Sequence, residues 1–175
     1  MAVSTLEDVI EQVIKNRAGI CLDIGGGNDP QQGFVNMDIR PLESVDIVHD
    51  LEEFPWPLPD ECVLTALASH LIEHINPHRG VFIRFMDEVW RVMKVGGRFI
   101  ISTPYAGSPG YFQDPSHINP CNQTTFKYFT PAHPLYEKYK PKPWLIMPNT
   151  LSWQENGNLE CVMIKVTEEE VVSNG

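Results

Sequence analysis

Apolar and polar positions change rhythm along this chain and divide it into helical and extended stretches. Leu6, Val9, Ile10, Val13 and Ile14 recur at the spacing of one helix face, so residues 5–17 are predicted to form an amphipathic helix, with Thr5 at its start and Gly19 at its stop. The apolar residues then run together. Gly19 to Ile24 is a short continuous apolar run halted by Gly25-Gly26-Gly27, the pattern of a buried parallel strand ending in a tight loop. Phe34 to Ile39, Asp46 to His49, Val63 to Ala68 and Arg98 to Ser102 read as four more strands, with Pro55, Pro57 and Pro59 breaking the chain before the fourth. Helical spacing returns from Arg79 to Val95, where Val81, Phe82, Phe85, Val89, Val92 and Met93 line one side and Gly96-Gly97 supplies the expected stop.

Pro104 to Pro143 has another character. It is rich in proline and aromatic residues and keeps no sustained period, and a connection of that length inside a compact domain is usually a lid or binding loop. Trp144 to Trp153 and Leu159 to Thr167 then read as two strands joined through Asn156-Gly157, a strong hairpin signal. Strands alternating with helices predict an α/β fold: a mostly parallel sheet with helices on both faces and a C-terminal antiparallel hairpin at or near one edge. One domain is expected, with an N-terminal helix (1–18), a core (19–103), a Pro-rich lid (104–143) and the hairpin (144–167).

Composition narrows the class. At 175 residues the chain is about one domain long and can bury a core without staples. It has no run near the roughly 18–20 apolar residues of a membrane span and no basic-then-apolar leader, and its four cysteines form no Cys-x-x-Cys pair. These features predict buried free thiols and a cytoplasmic protein without a membrane partner. The net charge of -10 repels phosphate backbones, so nucleic acid is an unlikely partner. The charge is uneven, with a net +2 between Pro104 and Gln154. The basic and aromatic stretch Tyr136 to Trp144 could attract an anionic acceptor, although a solvated loop is its simpler reading.

The informative segment is Leu22-Asp23-Ile24-Gly25-Gly26-Gly27-Asn28-Asp29-Pro30. Glycines at the carboxyl end of a parallel strand let a ligand approach the backbone closely. A nicotinamide or flavin site wants G-x-G-x-x-G opening a helix and an acid about 20 residues on. Here Pro30 replaces the third glycine, and Asp38 follows Gly25 by only 13 residues, leaving room for little helix. A dinucleotide is therefore disfavoured. S-adenosylmethionine needs no phosphate site; it needs glycines, a carboxylate for the ribose hydroxyls and a polar group for the adenine amine. Asp38 ends the second strand, and Asp50-Leu51 follows the third.

Five pieces in order carry a resemblance: the glycine segment, Val35-Asn36-Met37-Asp38-Ile39-Arg40, Asp50-Leu51 before Phe54-Pro55, Ala68 to His74, and Trp90 to Arg98. Across residues 19–103 the chain resembles the class I S-adenosylmethionine-dependent methyltransferases, closest to small members with a reduced first helix. The last piece resembles that family's lysine-proline-glycine-glycine turn, with Val95 in place of proline. The resemblance implies a Rossmann-like fold and methyl transfer from S-adenosyl-L-methionine. It implies Asp23, Gly25 and Gly27 beside the methionine portion, Asp38 with Ile39 at the ribose, Asp50 and Leu51 flanking adenine, and Ser69 and His70 closing over the sulfonium side.

For the chemistry, alignment of a nucleophile with the methyl group supplies much of the acceleration, and a base is needed only where the nucleophile is bound protonated. His117, within the lid, is the candidate base, and Tyr105, just after the fifth strand, a candidate wall of the acceptor pocket. The expected acceptor is an oxygen or nitrogen atom of a small molecule or glycan-type compound. His70-Leu71-Ile72-Glu73-His74 matches the reversed zinc-protease signature, which needs a helix and a further ligand. Some RNA-methylating relatives hold a divalent metal through Glu-x-x-Glu-His, and His70 stands where their first glutamate would be. His70, Glu73, His74 and His117 could form a site, but such a Glu-His pair more often fixes the strand-to-helix turn, so no metal ligand is assigned. A non-catalytic binding module of the same fold and a metal-dependent hydrolase built on His70, Glu73 and His74 are the rival readings.

Overall fold

A computed structural model describes residue 11 and residues 18–167. The helix expected at 5–17 and the tail after Thr167 fall outside the described residues, apart from Glu11, which is helical.

Among the described residues, eight strands form one sheet. β1 (Ile20–Ile24), β2 (Val35–Asp38), β3 (Ile47–Val48), β4 (Val63–Ser69) and β5 (Met93–Pro104) pair in parallel, and β6 (Trp144–Ile146), β7 (Ser152–Trp153) and β8 (Asn158–Lys165) add the antiparallel part. The order is β3-β2-β1-β4-β5-β8-β6, with β7 also on β8. The chain leaves β1 toward β2 on one side and later returns to pair β4 on the other. That reversal leaves a crevice at the carboxyl ends of β1 and β4, where open α/β sheets bind ligands.

The buried runs explain the central strands. Leu22, Ile24, Met37, Ile47, Val63, Ala66 and Phe99 are almost wholly removed from water, so both sheet faces are covered there. α1 (Val81–Val92) supplies one cover, burying Phe82, Phe85, Met86, Val89 and Val92. β5 begins directly after α1, at Met93, so Gly96-Gly97 lies within the strand rather than ending the helix. Met93 pairs with Val63, and the ladder resumes at Arg98 with Thr65 after a register shift. A Cβ on Gly97 would stand 2.8 Å from the Lys94 carbonyl oxygen, which is why this bulge takes glycine.

The Pro-rich stretch carries three single-turn helices, α2 (Pro109–Phe112), α3 (Gln123–Lys127) and α4 (Tyr136–Tyr139). Asn122 caps α3 in a reciprocal capping box with Thr125. Phe126 and Phe129 enter the common core with Trp144, and Phe129 meets Phe82 of α1 edge to face at 5.6 Å. All four cysteines are free thiols; burial pushes Cys121 and Cys161 up to about 12, so neither is a thiolate at neutral pH. Among the described residues no helix is long and apolar enough to cross a membrane.

Candidate functional site

The loop after β1 is built from left-handed turns. Gly25 (φ 76°) and Gly27 (φ 57°) occupy conformations that side-chain-bearing residues rarely adopt. The Gly25 N–H donates to the Met37 carbonyl at 2.7 Å, and the Gly27 carbonyl accepts from Ser44 Oγ (2.7 Å) and Asn36 Nδ2 (3.0 Å). A Cβ on Gly25 would sit 2.8 Å from Leu71 Cδ1, and one on Gly26 would press on Asn36 and the Asp23 carboxylate. Between this loop and the end of β4 lies a cavity of about 400 Å³. Asp23, Gly25 and Gly26 form one wall and Leu67 and Ser69 the other, with Asp29, Pro30, Gln31 and Gln32 closing a side.

Asp23 is 4% exposed, and its Oδ2 accepts the Gln31 N–H at 2.7 Å. Burial pushes its carboxyl above the ordinary range, and the Gln31 bond offsets part of that. Asp38, at the end of β2, is held the other way. Burial raises its carboxyl, but the Arg40 guanidinium, with hydrogen bonds from the Arg40 and Gly27 amides, outweighs burial and holds it below the ordinary range. Both oxygens are engaged: Oδ1 accepts from the Arg40 N–H (2.8 Å) and Nε (3.1 Å), and Oδ2 from the Gly27 N–H (3.1 Å). The Arg40 side chain is 57% exposed, so it can yield to another donor.

The structure therefore brings Asp23, Gly25 and Ser69 of the expected set to one cavity and joins Gly27 to Asp38 beside it. Ile39 is 57% exposed, and Leu51 is buried with its carbonyl accepting from Trp56 Nε1. Asp50 Oδ1 accepts the Glu52 N–H at 2.9 Å. These three stand outside the cavity lining. Gln31 and Gln32 were not assigned from sequence. The quoted motif stops one residue short of them, and only the folded loop shows that it returns over Asp23.

The candidate chemical residues separate. The Tyr105 hydroxyl donates to Gln123 Oε1 at 3.2 Å. His117 is 7% exposed in its side chain, its Nδ1 lies 2.8 Å from the Tyr111 carbonyl, and its Nε2 faces Glu73 Oε1 at 4.0 Å and Asp114 Oδ2 at 3.9 Å. Residues 70–74 form a left-handed turn at His70 (φ 52°) and a three-residue 3-10 helix at Ile72–His74. The α-helical face that the reversed zinc-protease signature requires is absent from this segment.

No protein-family model and no curated protein matches the chain. Solved structures do. A SAM-dependent methyltransferase from Archaeoglobus fulgidus aligns with a TM-score of 0.59 at 16% identity, over 92% of this chain and 95% of that one. The antibiotic-resistance methyltransferase Kmr aligns with a TM-score of 0.54 at 12% identity, over 94% and 96%. The cyclase SpnF aligns with a TM-score of 0.52 at 14% identity, over 91% and 80%. The fold is that of the class I methyltransferases.

Proposed function

From this fold we propose that the chain is an S-adenosylmethionine-dependent methyltransferase, acting on an oxygen or nitrogen atom of a small-molecule or glycan-type acceptor. The supporting observation is the cavity at the reversal of strand order, floored by a glycine loop and a buried acid. The residues fit the cofactor. Gly25 and Gly26 line the cavity, and a Cβ on either would press on Leu71 or on Asn36 and the Asp23 carboxylate. Asp23 is a desolvated carboxylate that here accepts an amide N–H, so a ligand ammonium would find a strong partner. Asp38 lies one hydrogen bond from Gly27 and would take the ribose hydroxyls as Arg40 swings out. Asp50 and Leu51 would flank the base, and Ser69 and His70 would edge the reacting end. When bound, the cofactor supplies an electrophilic methyl group, and the protein aligns the acceptor and excludes water.

The net positive charge between Pro104 and Gln154, in a chain of net charge -10, favours an anionic acceptor. Calorimetry with S-adenosylhomocysteine tests the reading. A Kd of roughly micromolar, weakened more than about tenfold in Asp38→Ala, is expected. Undiminished binding in that variant removes the central contact, and no binding at all leaves a non-catalytic module of the same fold.

A further inference from the structure

The carboxyl ends of β4 and β5 meet the start of β8 beside the cavity, and one imidazole stands at that junction. His70 follows the cavity residue Ser69 and leaves β4 in a left-handed turn (φ 52°), a conformation uncommon for a residue that carries a side chain. Its N–H donates to the Ser102 carbonyl at 2.8 Å, which holds the turn. Glycine would take that backbone without strain, so the ring stands there at a cost, as side chains at reactive sites often do. The side chain is 54% exposed, within reach of a ligand.

Two neighbours fix the same tautomer of that ring. Asn158 Nδ2, an amide nitrogen that can only donate, lies 3.2 Å from His70 Nε2, so that nitrogen presents its lone pair. The same amide also donates to Ser102 Oγ at 3.2 Å. The ring proton is therefore on Nδ1, and Nδ1 meets Glu73 Oε1 at 3.3 Å. Glu73 is fully buried, and its Oε2 accepts the Thr103 hydroxyl at 2.8 Å. Its backbone carbonyl accepts from the Ile118 and Asn119 N–H groups, both at 2.9 Å, so the lid pins the residue in place. A fixed carboxylate behind an accessible imidazole, with the far nitrogen unprotonated, is the arrangement of an oriented general base. Such contacts are often long without ligand and tighten in the reacting complex.

His117 approaches the same carboxylate from the lid, its Nε2 4.0 Å from Oε1. Its side chain is only 7% exposed, and its Nδ1 lies 2.8 Å from the Tyr111 carbonyl. Of the two rings facing Glu73, His70 has the open face.

We propose that His70, oriented by Glu73, is the general base of the reaction and takes the acceptor's proton on Nε2, an inference that rests on the methyl-transfer reading. The acceptor enters over the ends of β5 and β8 and displaces the Asn158 amide from Nε2. Its oxygen or nitrogen lone pair forms the bond to the methyl carbon as the carbon–sulfur bond breaks, and that electron pair stays on the sulfur of S-adenosylhomocysteine. The acceptor's proton passes to Nε2. The imidazolium so formed faces the Glu73 carboxylate, whose charge stabilises it, and the proton returns to solvent after the product leaves. Glu73 is a positioning residue that acts through the ring.

The test is nitrogen-15 NMR of the full chain with labelled histidine, the His70 signals being those lost in His70→Gln. At mildly alkaline pH, His70 should be the Nδ1–H tautomer with Nε2 unprotonated. Glu73→Gln, which can turn an amide NH2 toward the ring, should shift it toward Nε2–H, a signature that a purely structural Glu73 would leave unmoved. Diethylpyrocarbonate supplies a second measurement on the unaltered chain. It should acylate His70 before His117, and S-adenosylhomocysteine at 100 times its Kd should slow that acylation more than about tenfold. A wild-type His70 in the Nε2–H tautomer, an unmoved tautomer in folded Glu73→Gln, or acylation indifferent to bound S-adenosylhomocysteine overturns the proposal. In each of those cases binding of S-adenosylhomocysteine leaves methyl transfer standing without this base. If S-adenosylhomocysteine does not bind, the methyl-transfer reading fails and takes the base with it, whatever the tautomer.

Discussion

Two carboxylates of one site, Asp23 and Asp38, are driven to opposite sides of their ordinary value of 3.8. The consequences for stability have opposite signs. Asp23, raised mainly by burial, penalises the ionised native state at neutral pH, and that penalty fades as pH falls through the raised pKa toward 3.8. Asp38 is raised by burial but lowered more by Arg40 and the backbone amides; it contributes stability above 3.8 that is lost as pH falls through the depressed pKa. Asp23→Asn should therefore raise the melting temperature at about pH 7, with the gain shrinking toward about pH 4, while weakening S-adenosylhomocysteine binding roughly tenfold or more. Asp38→Asn should lower the melting temperature at about pH 7, with the deficit closing only at more acid pH. Melting curves of both variants across pH check the pair; a destabilised Asp23→Asn at neutral pH contradicts the assignment. Asp38 was visible in the sequence as the end of a predicted strand, and Asp23 through the family resemblance of the glycine segment. That Arg40 already engages Asp38, or that His74 faces a histidine 43 residues later, depends on loop closure that no local pattern encodes.

The elements show where periodic reading succeeds and where tertiary pairing overrides it. β1, β2, β4 and α1 fall close to their predicted spans because burial dictates their apolar runs. Gly96-Gly97 reads locally as a helix stop, yet Met93 pairs with Val63 and draws the chain into β5 three residues earlier. The glycines serve the bulge instead. Gly97→Val should cost about 2–4 kcal/mol in denaturant unfolding, since its Cβ meets the Lys94 and Leu64 carbonyl oxygens at 2.8 and 3.0 Å. The stretch 104–143 lacks a period because each of its helices is a single turn, too short to repeat a face. Its aromatics nevertheless enter the core: Phe129 is 1% exposed. Phe129→Ala should cost about 3–5 kcal/mol, measured in urea, as a core truncation does. A cost below about 1 kcal/mol would mean that the segment is only laid over the domain.

For the molecule as a whole, sequence signalled a mostly parallel sheet but not its order. The pairing of β8 with β5, and the reversal that places β1 beside β4, are set by packing of segments over 40 residues apart. The reversal makes the cavity a junction: β1, β4 and the loop through Gln31 all border it. A ligand seated there should stabilise the domain as one unit. At 100 times its Kd, S-adenosylhomocysteine would add about 2.7 kcal/mol, or roughly 5–10 °C in melting temperature for a chain of this size. NAD should add nothing, because Pro30 stands where the dinucleotide motif has its third glycine. Gly25→Ala should remove most of the shift, since its Cβ would strike Leu71 Cδ1 at 2.8 Å in a backbone conformation with φ 76°. Thermal melts of wild type and variant with both ligands decide the matter. An equal shift with NAD, or a full shift in Gly25→Ala, would place the ligand elsewhere on the sheet.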